Sequence, residues 1–136
     1  MWPFTRKQQA AIIPAICVKG LRIEWNLSTQ MWEFQFNGFA ISLGENPVFN
    51  TAVLTQIPFA IEWLQKLDPL IDQEIAKQFS DATEEIGKKT LQRIDASWLV
   101  ERCMITAEFT GNESWGDAGL FIVVQGGEIK DFDWVD

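Results

Sequence analysis

Two blocks of alternating apolar and polar residues flank one stretch with a helical period. In the first block, Leu21, Ile23, Trp25 and Leu27 alternate with Arg22, Glu24 and Asn26, the period of a strand with one buried face. After a polar turn at 28–30, Trp32, Phe34 and Phe36 alternate with Glu33, Gln35 and Asn37 as a second such strand. Asn37-Gly38 is a strong hairpin signal, because both residues tolerate the positive φ of a type I′ turn. Phe39, Ile41 and Leu43 then return as a third strand, the alternative being a bulge at Gly38 inside one longer strand.

The middle of the chain changes period. Ala60, Trp63, Leu64, Leu67, Ile71, Ile75, Phe79, Ala82 and Ile86 are spaced by threes and fours, which places them on one helical stripe. Asp68-Pro69 interrupts it, since proline disfavours the helical region for the residue before it and has no N–H to give. The pattern therefore predicts two helices, 58–67 and 69–79, in the same apolar phase. Residues 44–47 read as a loop, and 48–56 fit either a short strand or the approach to the helix. Asp81 with Glu84 resembles a capping box whose extra turn Gly87 would close.

The second alternating block is less regular. Leu91, Ile94 and Trp98 have helical spacing, and a short helix is predicted near 96–101. Cys103, Ile105, Ala107 and Phe109 alternate as a strand. Residues 120–124 form a continuous apolar run, the mark of a central strand buried on both faces. Gly126-Gly127 turns the chain into Ile129, Phe132 and Trp134, an irregular strand whose aspartates suit a sheet edge. The sum is one α+β domain over 1–136, ordered βββ–αα–βββ. Its helices pack on one face of a mostly antiparallel sheet, its other face is polar, and 1–14 form an irregular N-terminal segment.

Composition narrows the chemistry. With 47% apolar and 22% charged residues the chain is neither disordered nor membrane-like, and no apolar run is long enough to span a bilayer. There is no histidine, which excludes Ser-His-Asp and Cys-His catalysis and the usual histidine-bearing zinc sites. Neither GxxxxGK[ST] nor GxGxxG occurs, so both familiar phosphate cradles are missing, and no cofactor is expected. Cys17 and Cys103 belong to no CxxC spacing and read as buried thiols of a cytoplasmic protein. Arg6 and Lys7 ahead of 10–18 imitate an export signal, but Pro14 interrupts the run and Ile16 is bulky where a cleavage site wants a small residue.

The net charge of −8 is concentrated at one end, because residues 108–136 hold seven acids against Lys130 alone. Such a field repels nucleic-acid phosphate and anionic lipid and steers a basic protein toward this end; solubility alone is the plainer reading of the same charge. Trp25, Trp32, Trp63 and Trp98 sit at periodic positions and are expected in the core. Trp115 lies instead in a loop with Glu113 and Asp117, the makeup of a binding hot spot, or else folds back to cap the sheet edge. The expected site is Trp115 as anchor with Glu113, Asp117, Asp131 and Asp133 as rim, acting on a basic protein partner. Alternatives are a small enzyme using the same carboxylates in a pocket between helices and sheet, a calcium or small-ligand site including Asn112, and a structural subunit of a larger assembly.

Two stretches resemble a group of small bacterial α+β domains, some of them found beside polymorphic toxins and taken for immunity proteins. In 48–79, Gln56 followed by Ala60-Ile61-Glu62-Trp63-Leu64 is similar to the group's Gln-x-x-x-Ala-hydrophobic helix start. Ser114-Trp115-Gly116-Asp117-Ala118-Gly119-Leu120 is similar to its Trp-Asp-x-Glu-His-Gly hairpin, without the Glu-His pair. The resemblance implies an immunity-type α+β architecture and no role tied to that histidine.

Overall fold

The alternating blocks pair into a single sheet of eight strands whose order in space is their order in sequence. The computed structural model describes residues 15–18, 20–44, 51–79, 89–111 and 113–136. The strands are β1 (Ile16–Val18), β2 (Leu21–Asn26), β3 (Met31–Phe36), β4 (Phe39–Gly44), β5 (Thr90–Asp95), β6 (Met104–Thr110), β7 (Gly119–Gln125) and β8 (Glu128–Val135). Helix α1 (Val53–Gln78) links β4 to β5, and the four-residue α2 (Leu99–Arg102) links β5 to β6. Every neighbouring pair is antiparallel except β4–β5, which the α1 crossover makes parallel. The fold is thus mixed α+β with a mostly antiparallel sheet, in the order ββββ–α–β–α–βββ among the described residues, which hold two strands more than expected and one long helix where two were expected.

The single helix has a simple cause. Pro58 and Pro69 both lie inside α1, and both are exposed. Pro69 withdraws one hydrogen bond from the carbonyl of Gln65, an exposed residue on the wet face, where a lost donor costs least. On the dry face, Leu64, Leu67, Ile71 and Ile75 remain buried without a break in phase. Each fully enclosed isoleucine there contributes about 1.5–3 kcal/mol, enough to carry the helix through one missing bond.

The stripe packs on a row that crosses the sheet. Phe34, Ile41, Ile94, Ala107, Ile122 and Phe132 are successive register partners from β3 to β8. Of these, Ile41, Ile94, Ala107 and Ile122 are essentially inaccessible. Ala60 of α1 and Ala107 of β6 are both fully buried small residues.

The missed strand β5 is explained by a bulge. Its register with β6 shifts between Leu91 and Arg93, so Leu91 and Ile94, three residues apart, fall on the same face. The same device in β8, a shift opposite Val123 and Val124, puts Ile129, Phe132 and Trp134 together on the core side. At the Asn37-Gly38 turn both residues have positive φ (47° and 89°), as the hairpin reading expects.

Other expectations are corrected. Residues 120–124 fall in the seventh strand of eight, and the side chains of Phe121 and Val123 are only half-buried. Trp98 precedes α2 and is 43% exposed, with the Arg102 guanidinium 4.4 Å above its ring. Cys17 and Cys103 are both exposed free thiols, the first in β1 and the second just before β6, with four strands between those two. The segment 1–14, the loop residues 45–47 and the Asp81–Glu84–Gly87 cap lie outside the described residues.

Candidate functional site

Helix α1 covers one sheet face, and the other face carries the polar halves of the alternating strands. Near the middle of that face, Arg93 of β5 reaches across β4 to β3. Its Nη1 donates to Glu33 Oε2 at 2.7 Å and to Ser42 Oγ at 2.6 Å. Asn26 Nδ2 donates to the other oxygen of Glu33 at 2.8 Å. Ser42, the one fully buried polar side chain among the described residues, is thereby satisfied. The Ser97 hydroxyl and N–H both donate to Asp95 Oδ1, closing the turn after β5. These groups satisfy one another, and they stitch the two sides of the parallel β4–β5 seam.

Trp115 does not stand on the surface. A 3-10 turn, Glu113–Trp115, carries it back under the sheet end, with Gly116 N–H donating to Glu113 O and Ala118 N–H to Trp115 O. The indole is 4% exposed, stacked on Phe79 at 5.7 Å and edge-on to Trp134 at 5.2 Å. Gly111 lies directly beneath it, and a Cβ there would come within 2.0 Å of the ring. Trp115 is therefore a core residue and not a surface anchor: the glycine that made its loop look open provides the room for its ring. The indole N–H groups of Trp115 and Trp134 have no acceptor among the described residues.

The four carboxylates of the expected rim are all exposed but fall into two groups. Asp131 and Asp133 stand on the face of β8 away from α1, opposite Val123 and Phe121. Glu113 and Asp117 flank the turn before Gly119, which pairs with Val135 two residues beyond Asp133. On the other side of β7, Glu108 pairs with Phe121 and Thr106 with Val123. Phe121 and Val123 thus form a half-buried apolar pair framed by Glu108 on β6 and Asp131 and Asp133 on β8. Sequence reasoning missed this pair because an unbroken apolar run hides which of its members face water.

Cross-strand neighbours on one face lie about 5 Å apart. Two residues along a strand are separated by about 7 Å, so Asp131 and Asp133 repel by about 0.6 kcal/mol even in water. A cation placed between them would relieve this. Among the described residues, no three carboxylates or thiols converge as a metal site. Asn112, invoked for calcium, lies outside the described residues. A cleft of about 340 Å³ does open between α1 and the sheet, over Phe39, Leu64, Leu91 and Phe109 with Asp68 and Lys89 at its rim, but none of the rim carboxylates of β8 or its neighbouring turn lines it.

No family model matches the chain, and no curated protein or solved structure matches it significantly. The described residues define a class by their fold: an α+β protein in which one long helix roofs one face of a mostly antiparallel sheet. No helix among the described residues is long and apolar enough to cross a membrane.

Proposed function

We propose that the protein is a non-catalytic protein-binding module, an immunity-type inhibitor acting in the cytoplasm, whose acidic C-terminal strands meet a basic surface on its partner. The observation that carries this reading is the register that sets the half-buried Phe121 and Val123 between Glu108, Asp131 and Asp133, on a face that no helix or strand among the described residues covers. An apolar centre with a charged rim is the usual anatomy of a binding patch. Phe121 takes the anchoring role that the sequence assigned to Trp115, and Glu113 and Asp117 extend the rim at the end of the sheet. The likeness of 48–79 and 114–120 to immunity-type domains supports the same reading.

Association steered by unlike charges is fast and weakens with salt. In affinity capture from host lysate at low and high salt, one stoichiometric basic protein is expected, released by salt. Asp131→Lys with Asp133→Lys should abolish its capture while changing stability by no more than about 0.5 kcal/mol. Capture undiminished in that double variant would overturn the assignment of the patch. A second reading, a subunit of a larger assembly, is favoured by β8 itself, eight residues long with a strand partner on one side only among the described residues. Sedimentation at rising concentration separates the two, since an assembly subunit would self-associate without any partner.

A further inference from the structure

Strand β2 changes partner halfway along. Leu21, Arg22 and Ile23 pair with β1, whereas Glu24, Trp25 and Asn26 pair with β3. Continued past Glu24–Glu33, the β2–β3 register would set Ile23 against Phe34 and Arg22 against Gln35, but the ladder stops at Glu24. Phe34 and Gln35 are held from the other side alone, by Ile41 and Ala40 of β4. The two strands therefore part, and among the described residues the backbone N–H and C=O groups on that side of Phe34 and Gln35 have no ladder partner. Between them lies a cleft of about 480 Å³ lined by Leu21, Arg22, Glu24, Trp25, Phe34 and Gln35, a volume within the range of small-ligand sites.

We propose that this cleft binds an extended peptide segment, which adds as a strand to the free side of β3 at Phe34 and Gln35 and places a cationic side chain beside Glu24 and Glu33. Strand addition satisfies the open backbone groups, and alternate side chains of the added strand fall on opposite faces of the sheet. On the core side they meet Trp25, half-buried, and Phe34. On the open side they meet Glu24 and Glu33, two like charges directly opposite in the ladder. Arg93 is paired with Glu33, whereas the partner of Glu24 among the described residues is Arg22 at 2.7 Å, an exposed pair of little strength. A lysine or arginine in the added strand takes the place of Arg22 beside Glu24. The site lies in β2 and β3, remote in the sheet from the acidic patch of β6 to β8, so it stands or falls independently of that patch.

The test is a titration of the full isotope-labelled chain with acetyl-Val-Lys-Val-Lys-Val-amide, followed by amide chemical shifts and hydrogen exchange. Exchange at residues 21–23 and 34–36 should slow by about tenfold while the amides of β6 to β8 stay unchanged. An analogue N-methylated at alternate amides should not bind, and Glu24→Lys, a change at an exposed site, should weaken binding by about tenfold. Unchanged exchange at those amides with millimolar peptide, or equal binding of the N-methylated analogue, would overturn the proposal. So would equal binding of the peptide with glutamate in place of lysine.

Discussion

The two meanders on either side of the β4–β5 seam are built from similar alternation, yet they differ in how far their ladders run. In β5 to β8 the strands pair along nearly their whole length, with seven register pairs from Thr110–Gly119 to Met104–Gln125 and a comparable ladder to β8. In β1 to β4 the first strand has three residues, β2 is divided between two neighbours, and a cleft opens where it divides. The β2–β3 ladder parts at Ile23 and Phe34 although both are buried, so burial alone does not hold a ladder closed; β2 turns there to its other neighbour, β1. The closed meander presents a charged face, and the parted one presents open backbone.

The sharpest way to break this contrast is to hollow each meander in turn. Ile122→Ala, at a fully buried site of β7, should cost about 4 kcal/mol in urea unfolding, whereas Leu21→Ala, half-buried at the cleft, should cost about 1 kcal/mol. Equal losses would remove the distinction. Next comes Gly111→Ala, expected to cost about 3 kcal/mol because the added methyl meets the Trp115 ring and must push it off Phe79 and Trp134. Loss of the near-ultraviolet circular dichroism of that cluster would report the same displacement.

Arg93→Met tests the seam. It removes two charge-assisted bonds and leaves Glu33 Oε2 and Ser42 Oγ without the Arg93 donor, for an expected cost of about 2 kcal/mol. Hydrogen exchange should then quicken in β3 and β4 more than in β6 and β7.

The smallest effect concerns Lys89, which precedes β5 and ties it to α1 with its Nζ 2.7 Å from Asp68 and 2.6 Å from Asp72. Burial pushes its pKa down, but the hydrogen bonds to Asp68 and Asp72 outweigh that, and the net position is above the ordinary 10.5. A cation whose pKa is raised by folding stabilises fully below its unfolded value, and the gain is lost as pH climbs through the folded one. The stability gap between the native chain and Lys89→Met should therefore hold at about pH 9 and narrow toward about pH 12.

Much of this architecture was legible because alternation is a strong signal where it is unbroken, as in β2, β3, β4 and β6. It failed where a bulge changed the period. Leu91 and Ile94 imitate a helix because Gln92 is the extra residue of a strand, and Pro69 imitates a break because sequence does not say that its carbonyl partner faces water. The site was legible only in its charges. Which side chain is the proposed anchor depends on pairings between residues distant in the chain: Trp115 is buried against Phe79 and over Gly111, and Phe121 stays half-buried on the face of β7 away from α1. Neither fact has a local signature.

The parallel seam also governs how the chain reaches its native state. Each meander can form from near neighbours, but Ala40 meets Arg93 only after a loop of about fifty residues closes, which costs about 1.6 kcal/mol more in chain entropy than closing Thr110 on Gly119. Joining the halves is therefore the step expected to limit the rate of folding, with α1 as the tether, and substitutions at β4–β5 should slow refolding more than those in any hairpin.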